Sequence, residues 1–323
     1  MLHETPSQRG LYTKYRPFKR FRVPLLFSIT VLALKGTYVY HTKSAGTMSR
    51  SRYNYKPRVV VIFYGLPRSL FWTIESIERQ ITFPLQQHFR VDVSVHSYVY
   101  NSTYSNIRSE ESNVELNNDE WKLLSPDFLE TESVETVKLE YEGLLDKLGA
   151  FGDAWNDNFK SLRNYVLALH SLERAVSLIR ASKRFYVGAL IFRPDLYYLD
   201  PIDIRLLLNG IQQMKAHATI IVPCWQSWHG VNDRFMYGDF EYVMTVGQRI
   251  HAVLRYCENN REALHGERFL EWFLNFGVQG ALSATSQRSM SLSCTKQRAI
   301  RIRAHGSTTK EAFTSDFNGT GFH

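Results

Sequence analysis

Apolar residues along this chain fall into two rhythms, one of unbroken or alternating runs and one of helical spacing. "VVVIFYGL" (59–66) is an unbroken β-branched and aromatic run, the pattern of a strand buried on both faces of a parallel sheet. Pro67 and Ser69 then open a helix in which Leu70, Ile74, Ile77 and Ile81 recur at helical spacing. "VDVSVHSYV" (91–99) alternates valines with polar residues and reads as a second strand. From Asn101 to about Asn158 the pattern dissolves into Ser, Asn and Glu, which predicts a long irregular surface excursion with short helices around 134–148. The rhythm returns with an amphipathic helix over 159–181, a strand in "FYVGALIFRPDL", a helix in "IDIRLLLNGIQQMK" and a strand in "ATIIVPCW". Residues 239–257 and 266–276 read as helices, and "AIRIRAHG" as a short late strand. A strand–helix–strand start continued by alternating elements predicts an α/β fold, with a mostly parallel sheet and helices on both faces.

Charge changes this picture only at one end. The chain of 323 residues carries +8, yet residues 1–58 alone hold +11, so the remainder is slightly acidic at −3. The folded part therefore lacks the clustered basicity of a nucleic-acid surface, and no nucleic-acid partner is expected. The basic run "YRPFKRFR" leads into "VPLLFSITVLAL" and "TYVY", the order that orients a signal anchor with its N-terminus in the cytosol. The 18 residues 23–40 approach the length needed to span a bilayer. The uninterrupted apolar core, 23–34, also suits a cleaved signal peptide, and the Arg-rich start an organelle transit peptide. No small-residue cleavage pattern follows Leu34, which favours the anchor. The expected organisation is a cytosolic basic tail (1–22), a transmembrane segment (23–40), a stem linker (41–58), a catalytic-size domain (59–305) and a loose tail (306–323). Acceptor tripeptides for N-glycosylation at Asn101 and Asn318 fit a lumenal domain, anchored in the Golgi or endoplasmic reticulum membrane. Three cysteines, Cys224, Cys257 and Cys294, allow one disulfide and one leftover thiol, with the pair left open.

Three predicted strand exits carry unusual polar groups, and in parallel α/β sheets ligands bind beyond the carboxyl ends of strands. In "GLPRSL", Gly65 permits close approach, and Arg68 with Ser69 stands at a helix start, where anions are favoured. An ordinary strand-to-helix turn is the alternative. In "IFRPDLYYLDPID", Arg193 and Asp195 follow an apolar strand. A carboxylate there can hold a divalent cation and an Arg can neutralise phosphate, or the two can simply tie down a turn. Asp203 reads as a helix cap. In "HGVNDRFMYGD", His229, Asn232, Asp233 and Arg234 offer complementary donors and acceptors between Gly230 and Gly238. The alternative is a loop that satisfies its own hydrogen bonds. Glu267 in "HGERFLEW" is a candidate general base for an acceptor hydroxyl, or a helix-start residue favoured by the dipole. Neither a nucleophile elbow nor a phosphate-binding P-loop is present.

"FYGLPRSL…SIERQITFPL", "VDVSVHSY", "SLRNYVLALHSL", "RPDLYYLDPID", "GVNDRFMYGD" and "GERFLEWFL", in this order over roughly 59–305, resemble a glycosyltransferase family of algae, other eukaryotic microbes and large viruses. That resemblance implies the nucleotide-diphospho-sugar transferase fold, a nucleotide-sugar donor and a glycan or glycoprotein acceptor. It places "GLPRS" near the nucleotide and "NDR" facing the sugar or acceptor. "RPD" stands where related transferases carry an Asp-x-Asp motif for Mn2+ or Mg2+. Here Arg193 occupies the place of the first acidic residue, so a cation would rest on Asp195 alone. Two readings follow. One is a membrane-anchored hexosyl- or pentosyltransferase with Asp195, Asp233 and Glu267 as its catalytic carboxylates. The other is a non-catalytic lumenal glycan- or nucleotide-binding protein on the same fold.

Overall fold

In the computed structural model, which describes residues 56–106, 109–212, 217–282 and 288–316, the run Arg58–Gly65 forms β1. Its period-2 pleat divides the apolar residues between two cores. Val60, Ile62 and Tyr64 enter one, Val59, Val61 and Phe63 the other. The remaining strands are β2 (Arg90–Val99), β3 (Tyr104–Asn106), β4 (Glu111–Val114), β5 (Phe128–Ser133), β6 (Gly188–Phe192), β7 (Leu196–Tyr198), β8 (His217–Pro223), β9 (Phe235–Asp239), β10 (Ser289–Thr295) and β11 (Ala299–Arg301). The helices that matter below are α1 (Leu70–Ile77), α2 (Phe83–His88), α3 (Val134–Gly149), α4 (Lys160–Ser182), α5 (Ile204–Gln212), α6 (Phe240–Gly247), α7 (Val253–Asn260) and α8 (Gly266–Trp272).

Seven strands make the central sheet in the order β10-β8-β9-β6-β1-β2-β5. All pairings are parallel except those of β9, which runs antiparallel to both β6 and β8. The architecture is thus mixed α/β with a mostly parallel sheet. α4, α6, α7 and α8 contribute to the core on one face, and α1, α2 and α5 pack on the other. From β1 the chain adds β2 and β5 on one side, then crosses back to place β6 on the other. The switch point lies between β1 and β6, and the crevice beyond their carboxyl ends is where such sheets bind ligands.

Three strands of the central sheet depart from the expectations. β5 lies inside the stretch read as an irregular excursion; its sequence, "FLETES", is that of a charged sheet edge and carries no apolar run. β10, "SMSLSCT", is the polar edge strand at the other end. β9 belongs to the stretch read as a loop. Gly238 has φ +151°, and a Cβ there would stand 2.0 Å from the carbonyl oxygen of Thr219 on β8. That glycine serves strand packing, not approach to a ligand. The expected helix over 239–257 divides into α6, a 3-10 turn and α7, and at the end of α6 a Cβ on Gly247 would stand 2.5 Å from Val176 of α4.

Cys224, just past β8, bonds to Cys294 on β10, and Cys257 remains a buried free thiol. Closing a loop of 70 residues stabilises the fold by about 4 kcal/mol in the chain-entropy view. Among the described residues no helix is long and apolar enough to cross a membrane. The expected anchor at 23–40 and the acceptor Asn318 lie outside the described residues, whereas Asn101 is exposed in a bend after β2.

Candidate functional site

At the end of β1, Gly65 takes φ +92° and donates its N–H to Ser171 Oγ of α4 at 2.7 Å. Arg68 follows, bonded to the Tyr104 hydroxyl, 3.1 Å from Glu111 Oε2 and 3.6 Å from Asp195 Oδ2. The β3–β4 hairpin, read from sequence as surface, thereby closes over the β1 exit. Ser69 is wholly buried at the N-cap of α1 and does not line the crevice.

At the end of β6, Arg193 donates Nε and Nη2 to the two oxygens of Asp195 at 2.8 and 2.7 Å. The short ribbon of β7 with β11 sets Arg301 opposite Leu196, beside Asp195, and Arg303 follows two residues on. Burial works to raise the Asp195 pKa, but the Arg193 charge and its hydrogen bonds override this. With Arg301 and Arg68 they hold the carboxyl well below the usual range. Arg301 is pushed down to about 9, first by burial and then by the neighbouring Arg193 charge. Its Nε is buried without a hydrogen-bond partner, as is that of Arg68. With both oxygens of Asp195 held by a guanidinium and two more arginines beside it, the donor set does not suit Mn2+ or Mg2+. Asp195 here is a guanidinium anchor.

The β8–β9 connection divides the three planar groups of "NDR". Asn232 is 1% exposed, donates to the Trp225 carbonyl and accepts from Arg234 N at 2.9 Å. Arg234 is bonded to Glu311 at 2.7 Å and Gln226 at 2.5 Å and lies over the Trp225 ring. Both are held by protein partners, Asn232 within the loop and Arg234 by Gln226 and the distant Glu311, and His229 is exposed with φ +61°. Trp225 is core, with its indole N–H on the Gln297 carbonyl. Gly230 has no room for a Cβ, which would stand 2.3 Å from the Glu267 backbone, and Val231 N–H bonds Glu267 O at 3.0 Å. This packing docks the loop on the start of α8 and brings Asp233 next to Glu267. A Cβ at Gly266 would be 3.2 Å from Asp233 Oδ2.

Asp233 and Glu267 form a carboxyl pair. Burial, then the Asp233 charge, pushes the Glu267 pKa up to about 8. Around the pair stand Tyr64 and Tyr165, both with hydroxyl pKa values raised chiefly by burial, and the buried cation Arg249. The arrangement provides a carboxyl, Glu267, that holds a proton near neutrality, a condition for acid–base work.

The carboxyl pair, Tyr64, Tyr165 and the arginines of the β1 and β6 exits line one cavity of about 390 Å³ at the switch point, a size suited to a small-molecule ligand. Of the sequence candidates, Gly65, Arg68, Arg193, Asp195, Asp233 and Glu267 line it; Ser69, His229, Asn232 and Arg234 do not. Arg301 and Arg303 were missed, although "AIRIR" alternates apolar and basic residues and so sets both arginines on one strand face. Tyr98, Tyr100 and Tyr104 form an aromatic wall near the arginines, and Trp155 and Tyr165 another near the carboxyl pair. Asn164 faces the cavity, while Arg163 is exposed and bonds the Asn158 carbonyl.

No protein-family profile matches the chain, and no curated protein matches it in sequence. Among solved structures it is similar to mouse xyloside xylosyltransferase 1 in its apo form. The two share 11% identity over 67% of this chain and 80% of that one, with a TM-score of 0.34.

Proposed function

We propose that this protein is a membrane-anchored glycosyltransferase that moves a sugar from a nucleotide-sugar to a hydroxyl of a glycan or glycoprotein. The observation that carries the reading is the meeting, in one switch-point cavity, of four guanidinium groups with a carboxyl pair in which burial and the Asp233 charge raise Glu267. Arg68, Arg193, Arg301 and Arg303 supply planar donors for a diphosphate, and their charge stabilises it as it departs. The tyrosine wall offers faces for a base, and Trp155 with Tyr165 an apolar platform for a sugar ring. Glu267, with a pKa near the working pH, accepts the proton of the acceptor hydroxyl; Asp233 keeps that pKa high and orients the acceptor. The guanidiniums take the charge-neutralising part that a divalent cation plays elsewhere, so the reaction is expected to survive chelators.

The deciding experiment incubates the purified chain with a panel of nucleotide-sugars and measures nucleoside diphosphate release with and without EDTA. Saturable binding with no release over the whole panel would favour a non-catalytic binding protein. The lumenal placement draws support from the Cys224–Cys294 bond, typical of oxidising compartments, and from exposed Asn101. Glycosidase treatment of the expressed protein should increase its gel mobility, and carbonate washing should leave it in the membrane. A glycan-free, carbonate-extractable protein would remove this placement.

A further inference from the structure

Behind the β1 exit, outside the cavity, three side chains from three elements converge. They are His96 on β2, Glu132 on β5 and His170 on α4. Tyr98 pairs with Glu132 across β2 and β5, so His96 and Glu132 are diagonal neighbours on the face that α4 covers. Both imidazoles turn Nε2 toward the same carboxylate oxygen, Glu132 Oε2, at 3.0 Å from His96 and 2.7 Å from His170. The ligand atoms all lie within 4.8 Å of one another. The histidine side chains are almost fully buried, and Glu132 keeps 26% of its side chain open to solvent.

The outer partners fix the rings in the way metal-bound histidines are fixed. His170 Nδ1 meets the Tyr141 hydroxyl at 3.0 Å, and Tyr98 stacks on the His170 ring. His96 Nδ1 meets Ser171 Oγ at 2.8 Å, and that hydroxyl also contacts the His96 carbonyl at 3.2 Å while accepting from Gly65 N–H. A serine hydroxyl has one hydrogen. When the carbonyl takes it, Nδ1 is the donor and Nε2 presents a lone pair to the Glu132 oxygen. In that tautomer the nitrogen and carboxylate lone pairs point at one spot, which a proton or a metal cation can fill. Nearby Arg174 does not fill it, because both its donating nitrogens are on Glu130, at 3.2 and 2.5 Å.

We propose that His96, Glu132 and His170 bind a zinc-class divalent transition metal, with an open position on the solvent side of Glu132. Two imidazoles and one carboxylate are ligands for Zn2+ and its first-row neighbours, not for Mg2+ or Ca2+. The ion would clamp β2, β5 and α4 together and, through Ser171, hold the Gly65 backbone at the cavity edge.

The test uses the full chain, stripped with chelator and titrated with Zn2+ against a chromophoric competitor, then with Co2+. One equivalent should bind, and X-ray absorption of the wild-type protein should show two imidazoles and oxygen around the metal, with no sulfur. Glu132→Gln and His170→Gln should each weaken binding at least about 100-fold, and Tyr141→Phe about 10-fold. Absence of a stoichiometric site, fewer than two imidazoles, sulfur from Cys257, or unchanged affinity in the folded variants each overturns the proposal. Should a variant fail to fold, the wild-type absorption spectrum decides. None of these readouts depends on transferase activity.

Discussion

Asp195 and Glu267 line the same cavity, and their surroundings drive them in opposite directions. Asp195 stands at the end of β6 with both oxygens on Arg193 and two further arginines close by, so it remains anionic far into acid. Glu267 stands at the first turn of α8, where burial and the Asp233 charge outweigh the more distant Arg234 and Arg301 and lift its pKa to about 8. Residue type alone does not separate an anchor from a proton carrier; the count of guanidiniums within reach does. The β6 exit is therefore the rigid, ion-paired end of the site and the α8 start its titrating end.

The sharpest way to break this contrast is to remove the titrating group. Glu267→Gln keeps the shape and the Val231 contact to its backbone but cannot accept a proton. Turnover should fall on the order of 10²- to 10⁴-fold, the usual worth of a general base. Unchanged turnover in steady-state assays would leave Glu267 a helix-start residue. At the other end, Asp195→Asn should leave Arg193 without its counter-charge and cost about 3–5 kcal/mol of stability. Denaturant titration against pH checks the origin of that loss. A carboxyl held below its unfolded pKa of roughly 3.9 stabilises the fold above that pH and loses the contribution as pH falls through the folded value. The variant should therefore show a flatter acid limb than the wild type.

How much of this was legible in the sequence depended on how far each residue's partner lay along the chain. The unbroken run at 59–66 and the helical spacing from Leu70 to Ile81 reveal β1 and α1, because burial on one or two faces writes itself into local periodicity. Arg193 and Asp195 are two residues apart and leave a strand together, so their pairing is visible too. The fate of "NDR" is not. Asn232 and Arg234 are satisfied by Trp225, Gln226 and Glu311, the last 77 positions away, and only the fold brings that acid near. β9 is equally hidden, since three apolar residues before a glycine look like a loop until Gly238 is seen between two strands. Arg301 belongs to the cavity through a ribbon pairing across more than 100 residues, and its sole local trace is the alternation in "AIRIR".

A comparison within the guanidinium group sharpens the division further. Arg68 has partners in Glu111, Asp195 and Tyr104, whereas among the described residues Arg301 makes no side-chain hydrogen bond or ion pair, and its Nε, like that of Arg68, is buried bare. Arg301→Ala should weaken nucleoside diphosphate binding by about 1.5–3 kcal/mol, one charge-assisted contact. Stability without ligand should hold or rise, since the cost of burying the Arg301 charge and its repulsion from Arg193 are relieved, against the loss of its attraction to Asp195. Arg68→Ala should instead lower stability, because Glu111 is buried and would lose its cation. Calorimetry and thermal melts of the two variants separate binding from support; equal losses of stability would mean that Arg301 has a partner after all.

The smallest effect tests the link between the two carboxyls. Asp233→Asn keeps size and hydrogen-bonding capacity but removes the second of the two causes that raise Glu267, leaving burial in place. The Glu267 pKa should then move down from about 8 by on the order of one unit, worth about 1.4 kcal/mol. Two readouts follow with opposite signs. In kinetics, the rise of turnover with pH should shift to the acid side, while the plateau drops modestly because the base is weaker. In stability, a carboxyl whose folded pKa exceeds its unfolded value of roughly 4.3 makes the native state bind the extra proton. Stability therefore declines as pH rises between those values, and the substitution should narrow that window from its upper end. Arg249, which shares the Asp233 charge, becomes less compensated, so the variant's stability at pH 5 serves as the baseline for both measurements. A kinetic limb that stays near 8 while the stability window narrows would assign the activity profile to some other group and detach Glu267 from the proton transfer.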